Sequence, residues 1–152
     1  MPAMKIRKDI LINSPYEKVI EYAVTRNAET ASIWQPEYSN FQILSGTGQI
    51  GTKMDFNHRM LGEDEKTHAV LKKQEMKPDR FNADWGFKST APKEAKLEGV
   101  FRYEYVKQGS GTVAALQYDV ECSKNPELNR RILENELSYN LENLKMICES
   151  ST

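Results

Sequence analysis

Leu133, Leu137, Leu141, Leu144 and Cys148 recur every three or four residues near the C-terminus, which makes one apolar stripe of an α-helix. Asn125 supplies a capping side chain and Pro126 suits the first helical turn, so the spacing predicts a helix from Pro126 to about Glu149. At 1.5 Å per residue it would be roughly 36 Å long. A stripe of that length needs an apolar partner of similar extent, and the only one the rest of the chain can build is a sheet face.

From Tyr38 onward the pattern is strand-like. Alternating segments at about 38–45, 51–61, 65–76, 79–88, 96–107 and 112–122 are separated by turn chemistry such as Gly46-Thr47-Gly48, Lys77-Pro78-Asp79 and Gly109-Ser110-Gly111. Short connections favour an antiparallel meander, because parallel neighbours need long crossovers. Residues 5–13 also alternate, with Ile6, Ile10 and Ile12 on one face. Ser14-Pro15-Tyr16-Glu17 then reads as a capping box opening a helix to about Val24, and a second short helix is expected from Ala28 to Trp34, ending before Pro36. The expected architecture is α+β: a curved antiparallel sheet of about seven strands wrapped on a long C-terminal helix, with two short helices after the first strand. At 152 residues it forms one domain, residues 1–152.

Several function classes are disfavoured. Lys and Arg total 21 against 22 for Asp and Glu, which leaves no basic excess for nucleic acid. No run of 18 apolar residues exists for membrane insertion, and the start of the chain lacks a secretory signal, so a cytoplasmic location is expected. Cys122 and Cys148 belong to no paired ligand motif and read as reduced packing residues; no metal and no cofactor is implied. Gly46-x-Gly48-x-x-Gly51 matches the dinucleotide fingerprint as a string, but an alternating segment follows where a helix is required, so it reads as a glycine-rich hairpin turn.

The order of elements resembles the helix-grip superfamily of START-related lipid-transfer domains and polyketide cyclases or dehydrases (SRPBCC). Its local carriers are Ile10 to Ile20, similar to the family's strand into a small-Pro-x-Glu helix, and Gly46 to Thr52, similar to its glycine turn. The resemblance implies a largely apolar cavity between the concave sheet and the long helix, holding a lipid, a polyketide or another small hydrophobic molecule. Fold alone confers no activity. The alternating rows fit either such a cavity or a filled interior.

Candidate ligand-binding residues follow from those rows. Phe56 and His58 share a face with Met54 and Met60; Trp85 lies with Phe81, Ala83 and Phe87; Phe101 and Tyr103 share the next strand's face, and Tyr118 that of the last. Leu137 and Asn140 represent the helix, where Asn140 interrupts the apolar arc and Glu136 lies at its margin. A buried Asn140 amide needs a hydrogen-bond partner, from the sheet, water or a ligand. His58 could orient a ligand, act as an acid or base, or be a satisfied core histidine; His68 with His58 makes only a weak metal signal. Trp34 is either an exposed gate or a buried anchor for the short helices. The leading expectation is a carrier or sensor of a small hydrophobic molecule. The alternatives are a cyclase- or dehydrase-like enzyme in which His58, Tyr103 or Asn140 polarises a carbonyl, and a chaperone-activator-like interaction module. No catalytic residue is assigned, because spacing sets no nucleophile, base or carboxylate beside His58.

Overall fold

The computed structural model describes residues 3–60, 63–91 and 97–150. Strand β1 (Ala3–Ile12) leads into α1 (Tyr16–Ile20), a π-helical turn (Glu21–Thr25) and α2 (Asn27–Trp34). Six strands follow: β2 (Tyr38–Ser45), β3 (Lys53–Met60), β4 (Glu63–Met76), β5 (Arg80–Ala91), β6 (Leu97–Gln108) and β7 (Gly111–Cys122). Helix α3 (Pro126–Ser150) closes the chain. The end of the expected segment 51–61, the start of the expected segment 96–107 and all of residues 92–96 between β5 and β6 lie outside the described residues.

All seven strands form one antiparallel sheet in the order β1-β7-β6-β5-β4-β3-β2, so the meander from β2 to β7 is completed by β1 on the far side of β7. Cross-strand partners share a face, and the register therefore aligns Trp85, Phe101 and Tyr118 in one row and Ala83, Tyr103 and Leu116 in the next. Leu133, Leu137, Leu141, Leu144 and Cys148 are all buried, and α3 packs on β1 and β7. The fold is the helix-grip arrangement.

Three local features differ from the sequence reading. Ser14 does not cap α1: its Oγ donates to the Cys148 carbonyl at 2.8 Å, tying the start of the short helices to the end of α3, and Pro15 occupies the cap. The first helix does not remain α-helical to Val24; Arg26 N donates to Glu21 O at 2.7 Å, a bond that spans five residues and widens the last turn. Edge strand β2 is irregular, with Asn40 at φ 54° and register shifts between Ser39 and Gln42 and between Ile43 and Ser45. Trp34 is fully buried, edge-on to Tyr103 with centroids 6.2 Å apart, and so serves as the anchor.

The convex face carries mixed charge. Arg102 pairs with Asp119 and, at 3.3 Å, with Asp84, and Arg7 pairs with Glu104 at 3.0 Å. Among the described residues no helix is long and apolar enough to cross a membrane.

Gly99 marks the tightest approach within the sheet, since a Cβ there would lie 2.0 Å from the Asp119 carbonyl oxygen on β7. Gly99→Ala must push β6 from β7, and its unfolding midpoint in urea should fall by the equivalent of about 1–3 kcal/mol at unchanged slope. A variant as stable as the parent would show that the close approach is not needed.

Candidate functional site

A cavity of about 670 Å³ opens on the concave side of the sheet, within the size range of small-molecule sites. Its floor is built from β3 to β7, with Phe56, Ala69, Trp85, Tyr103 and Tyr118 among the lining residues. Its other wall is the π-helical turn and α2, through Ala23, Val24, Asn27, Ala28, Ala31 and Gln35, and no residue of α3 lines it. This corrects the expected location between the sheet and the C-terminal helix. Helix α3 covers the β1 and β7 side of the sheet, so the uncovered strands fall to the shorter helices.

The rim is formed by β2 and the turn after it. Phe41 and Ile43 both line the cavity and are 42% and 59% exposed, so the cavity communicates with solvent there. Gly46, Thr47 and Gly48 complete the rim as a turn that leads into β3, not into a helix. Gly46 has φ 93°, and a Cβ on it would stand 2.6 Å from Thr52 Oγ1. That conformation and that contact both call for glycine.

Six of the eight residues singled out from the sequence, Phe56, His58, Trp85, Phe101, Tyr103 and Tyr118, line this cavity; Leu137 and Asn140 do not. Leu137 is core, 1% exposed. Asn140 is buried behind the cavity, where its Nδ2 donates to Glu37 Oε1 at 2.7 Å and also to the Glu136 carbonyl. His68 lies on the other face, 2.7 Å from Asp55 and away from His58.

Strand alternation turns His58 inward, and long-range packing brings it a partner. His58 Nε2 is 2.9 Å and 3.0 Å from the two carboxylate oxygens of Glu136, with both side chains nearly buried. Tyr118 Oη donates to Glu136 Oε1 at 2.7 Å, and Tyr38 Oη lies in close hydrogen-bond contact with Tyr118 Oη. The Tyr38 ring also packs on the imidazole, with centroids 4.8 Å apart. The result is a chain from Tyr38 through Tyr118 to Glu136, joined there by His58. Among the described residues His58 Nδ1 has no hydrogen-bond partner.

Burial and the neighbouring carboxylates hold the tyrosine hydroxyls protonated, with Tyr38 and Tyr118 well above the ordinary phenol value. Glu37 is pushed up to about 9, first by burial and then by Glu136 beside it, so its carboxyl keeps its proton well above the usual carboxylate range. Sequence reasoning missed Glu37 and gave Glu136 no role. The available signal was the placement of Glu136 and Asn140 four residues apart on one helix face, beside the stripe. Among the described residues no group of three or more His, Cys, Asp or Glu is arranged to hold a metal ion. The free cysteines are buried, and burial pushes the Cys148 thiol up to about 11.

No family model and no curated protein matches the chain in sequence. Solved structures do match it in shape. A hypothetical protein of Helicobacter pylori has a TM-score of 0.76 at 14% identity, with 95% of this chain and 88% of that one covered. Ara h 8.0201 has a TM-score of 0.72 at 12% identity over 99% of this chain and 100% of its own. The Zhui aromatase/cyclase of Streptomyces has a TM-score of 0.70 at 12% identity over 97% of this chain and 94% of its own. At such identities the likeness is one of fold.

The Glu37 carboxyl has a stability consequence. Its native value lies above the ordinary 4.5, so the folded protein keeps a proton that the unfolded chain releases, and stability falls as pH rises from about 4.5 through about 9. The slope from this group is at most about 1.4 kcal/mol per pH unit. Glu37→Gln should flatten the decline in denaturation midpoint between about pH 5 and pH 9; parallel profiles for parent and variant would assign the decline to other groups.

Proposed function

We propose that this chain binds a small, predominantly apolar molecule in the cavity beneath α2, as a carrier or sensor. The observation that carries the reading is the cavity itself: about 670 Å³, walled largely by apolar and aromatic side chains, with His58, tyrosine hydroxyls and a few amides and threonines as its uncharged polar groups. Filling such a space removes apolar surface from water at roughly 25 cal/mol per Å², and the polar groups orient what enters. The fold shared with Ara h 8.0201 and with the aromatase/cyclase supports a ligand-holding role without specifying the ligand.

A second reading, a cyclase- or dehydrase-like enzyme, is favoured by the His58–Glu136 pair. An imidazole oriented by a buried carboxylate is a competent general base for proton abstraction beside a carbonyl. Tyr103, held against Gln35 by hydrogen bonding at 3.1 Å, is a donor that could polarise the carbonyl oxygen.

Nile red, a neutral dye that brightens in apolar surroundings, should bind the native protein saturably at one equivalent and quench Trp85 emission. Ala28 lines the cavity from α2 and is itself exposed, so Ala28→Trp should weaken dye binding at least about tenfold by occlusion while leaving the fold intact. Weak, unsaturable binding unaffected by the substitution would refute the binding reading. If the enzyme reading holds, the parent converts a polyketide-like ketone, and His58→Gln lowers kcat roughly 10²–10⁴-fold at nearly unchanged affinity. Binding without conversion leaves the carrier.

A further inference from the structure

We propose that Glu136 fixes the His58 imidazole as a hydrogen-bond acceptor toward the cavity, so that the molecule held there is neutral and hydroxyl-bearing, a phenol or an enol, and carboxylates are rejected. The inference rests on the cavity-binding reading and specifies its ligand. It begins with the donor count at Glu136. Tyr118 donates to Oε1, and His58 Nε2 faces both oxygens. With the retained proton on Glu37 and the Tyr118 hydroxyl donating to Oε1, Glu136 is the acceptor toward the ring, so the Nε2 proton belongs to His58. The neutral ring then has a lone pair on Nδ1, the nitrogen without a partner among the described residues.

The surroundings point the same way. No Lys, Arg, Asp or Glu is among the described residues lining the cavity, so an anionic ligand would meet no counter-charge. Glu136 lies directly behind His58. A ligand carboxylate at Nδ1 would therefore lose its water and gain an acidic neighbour. Aromatic rings make most of the wall near this end: Tyr38 packs on His58, Phe56 lies edge-on to Tyr38 at 5.3 Å, and Phe101 lies edge-on to Tyr118 at 4.5 Å. These faces and edges suit a flat aromatic body whose hydroxyl reaches Nδ1. Glu136 acts through His58 and is a positioning residue.

The test is displacement of Nile red by trans-stilbene carrying one para substituent, either hydroxyl, methoxy or carboxylate. In the parent the hydroxyl compound should bind about five- to tenfold tighter than the methoxy compound, which accepts but cannot donate, and more than about tenfold tighter than the carboxylate. Glu136→Gln lets an amide N–H face Nε2 and frees the proton for Nδ1, so the hydroxyl preference should shrink to within about twofold. Nitrogen-15 NMR of the ligand-free parent gives a readout independent of how that variant folds: Nε2 should carry the proton and Nδ1 should not. Equal binding of hydroxyl and methoxy compounds, tightest binding of the carboxylate, or a protonated Nδ1 overturns the proposal. Saturable Nile red binding that no stilbene displaces also overturns it, and leaves the binding reading standing. Absence of dye binding overturns both.

Discussion

One helix cannot cover seven strands. Strands about 4.8 Å apart give a seven-stranded sheet a width near 29 Å, whereas a helix with its side chains is only about 10–12 Å across. Helix α3 is long enough to run the length of the sheet but shields only the β1 and β7 side. The remaining concave surface, from β6 to β3, has to be covered by α1, the π-helical turn and α2, which together are shorter than α3. Their cover is partial, and the uncovered volume is the cavity. The site is thus a consequence of covering a curved sheet with unequal helices, one well packed and one pair spanning a gap.

The polar cluster lies where these two covers meet. Glu136 and Asn140 come from α3, Glu37 from the segment between α2 and β2, Tyr38 and His58 from β2 and β3, and Tyr118 from β7. Burying two carboxyls and an imidazole together opposes folding unless each acceptor meets a donor, and the proton retained by Glu37 meets part of that need. A purely apolar joint of the same shape would be at least as stable. That this chain keeps the polar one fits a site whose chemistry is used.

The architecture was legible because periodicity is local. Period-two alternation marks each strand face, so the inward placement of Phe56, His58, Trp85, Phe101, Tyr103 and Tyr118 could be read without coordinates, as could the buried stripe of α3. Contacts between elements carry no such signal. Glu136 reaches His58 across 78 residues, and Asn140 reaches Glu37 across 103. Whether Leu137 and Asn140 face a cavity depends on which strands α3 covers, and no spacing within the helix encodes that. Ser14 shows a local rule losing to tertiary structure: its hydroxyl has the right sequence context for a cap but gains a buried partner at Cys148 instead. The widened turn at Glu21–Thr25 likewise has no marker in composition.

Strand β2 forms the cavity rim and is also an unpaired edge of the sheet, with Phe41, Ile43 and Leu44 exposed along it. An apolar edge strand is a template on which a second chain can polymerise. The left-handed residue Asn40 and the two register shifts interrupt the ladder within this short strand, so its free N–H and C=O groups do not form the regular row that an incoming strand would need. The irregularity lets a greasy doorway stand open at the sheet's edge while limiting strand-to-strand self-association, which ties the colloidal behaviour of the protein to the backbone of three or four residues beside its opening.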